Sequence, residues 1–342
     1  MAKVATFGEI MLRLSPPGRE RLFQSPRLEA VFGGGEANVA VSLAILRHQS
    51  RWISVVPANP VGKAALGELR RYGVDVGAVV RAGRRLGIYF AETGANERPS
   101  QVLYDREGSG IAEAKLGDID WAKALDGMDW LHVTGITPAV SASAAALTIE
   151  AVRAARAMAM TVSLDLNYRA KLWRYGRPAP EVMREIADLA DVLVGNEEDC
   201  QKALGLGSPV DPGSWRLDLK AYETLTAEVM AAFPNVQRAA ITLRESLSAD
   251  WNRWSAVMRN RSGFLAGPSY EIRAIVDRIG TGDAFAAGLI HGLTTLGSDA
   301  EALDFAVAAS ALKHSIPGDW NLATEKEILA LVKGDRSGRV KR

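Results

Sequence analysis

Val276-Asp277-Arg278-Ile279-Gly280-Thr281-Gly282-Asp283-Ala284-Phe285 is the stretch on which the reading of this chain turns. Two glycines flank Thr281, and from Asp283 onward the apolar residues recur at helical spacing as far as residue 296. A helix that starts on a glycine-lined turn offers unbonded backbone N–H groups and the positive end of its dipole, both suited to a phosphate-like anion. Glycine also lets a ligand approach the main chain closely, since no Cβ intervenes. A carboxylate at that point would repel a phosphate, so Asp283 is useful there chiefly as a base that takes a proton from an attacking hydroxyl. The same residues also read as an ordinary glycine turn with an acidic helix cap, and the choice between the two needs support from elsewhere in the chain.

Upstream, short β-rich runs alternate with helical patterns. Residues 3–7, 52–56, 130–134, 161–166, 192–195 and 239–243 are candidate strands, and residues 37–47, 62–72, 141–157, 180–189, 221–232 and 283–296 carry helical spacing. This rhythm predicts an α/β fold with a mostly parallel central sheet covered by helices on both faces. Ligands in such folds sit beyond the carboxyl ends of the strands. Two stretches break the rhythm: residues 10–32, rich in Pro, Gly and Arg, and residues 87–106, where strand candidates 88–92 and 101–104 flank a polar loop. Both read as a small β lid. Residues 208–215 read as a loop, and no repeat or linker divides the chain. The expectation is one domain over residues 1–342, with lid segments at about 10–32 and 87–112 inserted.

Composition narrows the function classes. With 41 basic and 40 acidic residues, no global field draws the chain to nucleic acid or to an anionic membrane. Cys200 is the single cysteine, which excludes an intramolecular disulfide and a cysteine zinc site, and His48, His132, His291 and His314 lack metal-ligand spacing. No apolar run approaches the roughly 18 residues of a membrane span. Met1-Ala2-Lys3-Val4 leads directly into a strand-like stretch without signal-peptide features, so the expected location is the cytoplasm. Gly33-Gly34-Gly35 lacks the dinucleotide-binding glycine spacing, and Pro57 stands where a P-loop ending at Gly62-Lys63 needs its first glycine. The basic tail, residues 333–342, reads as a solvated end.

The segment around Asp283 resembles the signature of the PfkB, or ribokinase-like, carbohydrate kinases: Asp, two variable residues, Gly-Ala-Gly-Asp and a small residue before Phe, with Thr281 in place of the usual Ala. Phe32-Gly33-Gly34-Gly35-Glu36-Ala37-Asn38-Val39-Ala40 resembles the family's second signature, about 240 residues away and in the right order. The resemblance implies a three-layer α/β/α sandwich with a β lid, and a kinase that uses ATP and Mg²⁺. It leaves dependence on a monovalent cation open. By resemblance Asp283 is the base, and Gly280, Thr281 and Gly282 form the anion-binding turn. Lids in this family pair between subunits, which implies a homo-oligomer, with a dimer through the lid as one form.

Within the family, Gly8-Glu9-Ile10-Met11, Gly87-Ile88-Tyr89-Phe90, Tyr104-Asp105-Arg106, Gly135-Ile136-Thr137-Pro138 and Asp165-Leu166-Asn167-Tyr168-Arg169 resemble the kinases of 2-keto-3-deoxygluconate. A sugar acid needs cations, and Arg106 and Arg169 offer planar bidentate donors. The resemblance places Gly34 and Asn38 on substrate hydroxyls, Tyr89 and Tyr104 over the substrate from the lid, and Asp319 beside it. A neutral sugar such as fructose is the alternative acceptor, and a catalytically silent sugar-binding regulator is the alternative of another class. On the nucleotide side it implies Asn167, Arg169, Asn196, Thr242, Arg244, Gly280 and Gly282. Asn196-Glu197-Glu198-Asp199 resembles the family's magnesium motif but ends in Asp, so Asp199 would reach the ion through water. Residues 242–248 stand where relatives carry a Gly-x-x-Gly turn, and Lys313 and Asn321 fall toward the nucleotide end.

Overall fold

Six parallel strands, nearly all buried, form the middle of the molecule, described in the computed structural model for residues 1–207 and 218–335. The expectations for the loop at 208–215 and for the tail beyond residue 335 lie outside the described residues. The strands are β1 (Lys3–Phe7), β2 (Met11–Ser15), β3 (Glu29–Gly33), β4 (Gln49–Ile53), β5 (Val55–Val56), β6 (Val80–Arg81), β7 (Gly87–Glu92), β8 (Gln101–Asp105), β9 (Trp130–Thr134), β10 (Thr161–Asp165), β11 (Val192–Gly195), β12 (Arg238–Ser248), β13 (Trp251–Asn260), β14 (Gly263–Ala266) and β15 (Tyr270–Arg273). The helices are α1 (Gly35–Ile45), α2 (Pro60–Arg71), α3 (Gly110–Glu113), α4 (Trp121–Ala124), α5 (Ile136–Val140), α6 (Ala142–Ala157), α7 (Ala179–Ala187), α8 (Glu197–Leu204), α9 (Leu219–Ala232), α10 (Thr281–Thr295), α11 (Asp299–Lys313) and α12 (Glu325–Val332).

The large sheet runs β14-β13-β12-β11-β10-β9-β1-β4, with β15 paired to β13. From β12 to β4 every pairing is parallel, and β13 to β15 extend the sheet antiparallel. Side-chain alternation splits each strand between two cores. Leu131, Val133, Leu193, Ala239 and Ile241 pack with α6 to α9, whereas Trp130, Val192, Val194 and Ala240 pack with α1 and α10 to α12. That is the expected sandwich of helices on both faces. Its parallel strands deliver their carboxyl ends to one side, which places the site.

The lid is a separate four-stranded sheet in the order β3-β2-β7-β8, with β2 and β7 parallel and both outer pairs antiparallel. Residues 10–32 and 87–106 thus do form β structure away from the main sheet. The strand expected at 239–243 is longer: β12 continues to Ser248 and pairs with β13 through Ser248 and Trp251. Its outer half, Arg244-Glu245-Ser246, is polar and partly exposed, so the apolar run that marks a buried strand stops early. For the same reason the family's glycine turn is absent from residues 242–248, which are extended strand. Nothing in the sequence reading foresaw α11, because it is buried or alanine-rich on nearly every face and shows little periodicity.

Helices α10 and α11 pack closely on small residues. A Cβ built on Gly292 would lie 2.5 Å from the Ala302 Cα, and one on Gly288 would lie 2.9 Å from the Ala306 Cα. Gly292→Ala gains roughly 1 kcal/mol of helix propensity but overpacks a backbone contact at a cost of about 1–3 kcal/mol. The variant is therefore expected to unfold at lower denaturant concentration than the native chain. An unchanged or raised midpoint would contradict this packing.

Candidate active site

Gly280 caps α10 in the left-handed region, at φ +82°, and a Cβ there would lie 2.1 Å from the backbone oxygen of Asp319. Glycine is required at this point by both conformation and space. Thr281, one residue on, ties the turn down: its hydroxyl donates to the Arg278 carbonyl (3.0 Å), and its own carbonyl accepts from the Ser310 hydroxyl (2.7 Å). A Cβ on Gly282 would meet nothing within 4 Å, so that face of the turn is open.

Asp283 lies in the first turn of α10, largely buried, and its Oδ2 accepts a 2.6 Å hydrogen bond from Asn38 Nδ2. Asn38 stands on α1, where its Oδ1 accepts from the Gly34 N–H (3.1 Å). Burial raises the Asp283 pKa to about 6; the Asn38 bond opposes the rise and the nearby Asp319 charge adds to it. The group is mostly ionised at neutral pH yet close enough to neutrality to take up a proton, as a general base requires.

Asn38 is held in place by Glu36, a residue the sequence reading passed over. One carboxylate oxygen of Glu36 accepts from the Thr134 N–H (3.2 Å) and from the hydroxyls of Thr134 and Thr137 (2.8 Å each), locking α1 to the end of β9. Burial lifts its pKa to about 7. A Cβ on Gly8 would collide with this carboxylate at 2.0 Å, which accounts for the glycine after β1.

Asp319 faces the turn from the other side. It accepts from the Tyr89 hydroxyl (2.6 Å) and pairs with Arg13 Nη1 (3.0 Å), while Arg13 Nη2 pairs with Asp277 (2.8 Å). Asp277 also accepts the N–H groups of Ile279 (3.0 Å) and Gly318 (3.1 Å). Arg13 comes from β2 and Tyr89 from β7, so the lid is bound to the catalytic turn through buried charge. Arg13 was not foreseen; an arginine inside the apolar alternation of Met11-Leu12-Arg13-Leu14 is the signal that marked it.

These groups share one cleft of about 810 Å³ that runs from Gly34 and Asn38, past Asp283, to Asn196, Thr242 and Arg244. Tyr104, Arg169, Asn167 and Gly280 to Gly282 line it as expected, as do Tyr89 and Asp319. Asn167 has φ +35°, an unusual conformation for a non-glycine residue. Thr242 donates weakly to the Gly195 carbonyl (3.3 Å). Arg169 and Arg244 are exposed within the cleft, and Arg278 is anchored by the carbonyls of Ser248 (2.6 Å) and Ala249 (2.8 Å). Desolvation, then repulsion from Arg169, lowers the pKa of Arg244 against the pull of Glu197, Asp199 and Glu198; desolvation, then repulsion from Arg244, lowers that of Arg278 against the pull of Asp250. Like charges gathered in this way are relieved by a polyanion.

Other expected residues stand elsewhere or are already engaged. Arg106 does not line the cleft but is buried in an ion pair with Glu9, whose other oxygen accepts from Ser109 (2.6 Å). Asn196 and Asp199 line the cleft, yet they form a reciprocal capping box at the start of α8, and Asp199 also accepts the Tyr168 N–H (2.9 Å). With both oxygens bonded to backbone, Asp199 is a helix-start residue first. Neither Lys313 nor Asn321 reaches the nucleotide end: both are buried, Lys313 donating to the Ile316 carbonyl (2.9 Å) and Asn321 accepting from the Ala323 N–H (3.2 Å). Asp165, not singled out beforehand, lines the cleft at the carboxyl end of β10, and burial followed by repulsion from Asp199 and Asp283 raises its pKa well above the usual range.

The pattern described as pfkB family carbohydrate kinase matches residues 1–324. A solved 2-dehydro-3-deoxygluconokinase from Thermotoga maritima superposes with a TM-score of 0.91 at 43% identity, covering 98% of this chain and 100% of that one. A 2-dehydro-3-deoxygalactonokinase from Haloferax volcanii is 31% identical, over 98% of each chain. A 2-dehydro-3-deoxygluconokinase from Bacillus subtilis is 27% identical, over 97% of this chain and 96% of its own.

The raised pKa of Asp283 has a stability consequence with a definite sign. The folded value of about 6 lies above the ordinary 3.8, so the contribution of this group to stability is full below pH 3.8 and is lost as pH rises through 6. Asp283→Asn keeps an acceptor for Asn38 without the buried charge. It is expected to be more stable than the native chain above pH 6, by about 3 kcal/mol at most, with the difference vanishing in acid. Unfolding curves across pH check this, and a variant less stable at pH 8 would refute it.

Proposed function

This chain belongs to the pfkB family of carbohydrate kinases and is a sugar kinase; from that premise we propose that it transfers the γ-phosphoryl group of ATP to a primary hydroxyl, O6, of a 2-keto-3-deoxy sugar acid, with Asp283 as general base. The observation that carries the proposal is a carboxylate held by Asn38 at the mouth of the glycine-lined start of α10, inside a cleft that continues to an arginine cluster.

Phosphoryl transfer asks a protein mainly for position and for charge complementary to the moving group. Asn38 occupies Asp283 Oδ2, and Oδ1 lies toward Gly35, where a Cβ would come to 3.5 Å, so Oδ1 is the atom that takes the hydroxyl proton. The open N–H groups at the start of α10, after Gly280, face the phosphoryl oxygens and stabilise their charge. Arg169, Arg244 and Arg278 supply cations for the donor phosphates and the acceptor carboxylate. Tyr104, exposed on the lid, covers the acceptor, and burying both substrates limits hydrolysis of ATP.

Among the described residues no three carboxylate or imidazole groups converge on a ready-made metal site; Asp165 and the exposed Glu198 line the cleft wall, where they would hold magnesium together with donor phosphates and water. When bound, the ion neutralises charge on the donor phosphates. The acidic relatives' substrates favour the sugar acid over fructose as acceptor, and the exposed cations of the cleft suit its carboxylate. Gluconate and galactonate derivatives differ only in the configuration at C4, so one site of this kind accommodates either. Residues 1–342 serve as one catalytic unit with its lid, and exposed Val31 and Leu103 on the outer lid strands favour a homodimer through that sheet. Among the described residues no helix is long and apolar enough to cross a membrane.

Two measurements test the proposal. In a coupled ADP assay, the 2-keto-3-deoxy derivatives of gluconate and galactonate are expected to exceed fructose and ribose in kcat/KM; activity on fructose alone would overturn the sugar-acid reading, and absence of ADP release with every acceptor would overturn the kinase. Asp283→Asn is expected to lower kcat by about 10²–10⁴-fold while both KM values stay within a few-fold, and near-native turnover would reject Asp283 as base.

A further inference from the structure

Lys313, the last residue of α11, turns its side chain inward beneath the catalytic turn and is completely buried. Its Nζ donates to the Ile316 carbonyl (2.9 Å), and a Cβ built on Gly280 would lie 3.4 Å from its Cε, so the lysine stem packs against the residue that starts α10. Desolvation is the largest influence on its pKa and lowers it below the ordinary lysine value; the field of Asp277, Asp319 and Asp283 favours the charged form and Arg13 opposes it. A lysine at a helix C-terminus commonly serves the helix dipole, but it does so from the surface with its ammonium hydrated. Burying the ammonium costs several kcal/mol and needs counter-charge in place.

The counter-charge is present and nearly balanced. Asp277, Asp319 and Asp283 carry three negative charges, and Arg13, paired directly to the first two, supplies one positive charge. Lys313 supplies a second, which leaves a single excess negative charge that disappears when Asp283 takes up a proton. Without Lys313 the pocket holds two uncompensated carboxylates beneath a turn that must receive phosphate. A pocket of that kind, with the Ile316 carbonyl at the ammonium position and the carboxylates of Asp277, Asp319 and Asp283 near it without direct contact, would either protonate or recruit a dehydrated cation.

We propose that Lys313 is a positioning residue that acts as a built-in cation beneath the Gly280 turn, holding the turn in its anion-binding form and taking the place of a bound monovalent ion, so that the enzyme works without K⁺ or Na⁺. The proposal rests on the kinase reading of the same site. It excludes the monovalent cofactor that the family resemblance left open.

The test compares turnover of the full-length enzyme in K⁺, Na⁺, NH₄⁺ and tetramethylammonium salts of equal ionic strength. Native turnover is expected to vary by less than about twofold among them, which screening alone permits. Lys313→Met, of similar length and without charge, is expected to lose about 10- to 100-fold in kcat with the acceptor KM little changed. Lys313→Ala is expected to regain activity when NH₄⁺, methylammonium or K⁺ is added and to remain inactive in tetramethylammonium; a purely structural lysine would not give size-selective rescue by cations. Native activity that appears only with K⁺ or Na⁺ overturns this inference alone. So does a Lys313→Met variant with native kcat, or a folded Lys313→Ala variant that no small cation restores. A native enzyme inactive in every salt overturns the kinase reading and this inference together.

Discussion

The 2.6 Å hydrogen bond from Asn38 to Asp283 is the contact on which the rest of the site depends. It joins the first turns of α1 and α10, two helices that start on glycines at opposite ends of the chain and pack side by side on the same face of the sheet. A carboxylate in this position is costly because burial opposes its charge, and its pKa of about 6 records that cost. The bond offsets part of the cost, fixes which oxygen is occupied, and leaves the other toward the cleft. Glu36 then anchors α1 to the end of β9, so Asn38 and through it Asp283 inherit the rigidity of the parallel sheet.

The lid is tied to this centre electrostatically as well as by the chain. Arg13 and Tyr89 reach from two neighbouring lid strands to Asp277 and Asp319, which bracket the Gly280 turn. Buried ion pairs of this kind are weak contributors to stability, because desolvation consumes most of the attraction. Their consequence here is geometric: a shift of the lid strands has to disturb the carboxylates beside the anion-binding turn. The acceptor end of the cleft and the phosphoryl-binding end are thereby coupled through charge.

Toward Asn196 and Thr242 the cleft gathers both signs of charge. Arg169 repels Arg244 and Arg244 repels Arg278, while Glu197, Asp199 and Glu198 attract Arg244 and offset part of that repulsion. The site thus divides into buried carboxylates around Asp283 and a mixed cluster of guanidinium and carboxylate groups farther along the cleft. Such a division suits a reaction in which a proton moves to one end while an anionic group is held at the other.

The two glycine signatures, the alternation of strands and helices, and the lid segments were all legible in the amino-acid sequence, because each depends on local spacing: glycine next to a helical pattern, or apolar residues at period 2 or 3.6. The sequence therefore determined the α/β class and the family resemblance, and it pointed to Asp283 and Asn38, which the structure joins in one hydrogen bond. Glu36 and Asp165 were not legible in that way, since nothing nearby in the chain distinguishes a buried charge with a distant partner from an exposed one, and the apolar alternation around Arg13 marks it as buried without naming its partners. The tertiary structure alone decided that Arg106 pairs with Glu9, that Asp199 caps α8, and that Lys313 lies under the turn instead of on the nucleotide. Each of these assignments depends on which opposite charge or free N–H the fold brings within a few ångströms, a quantity set by packing between elements far apart in sequence.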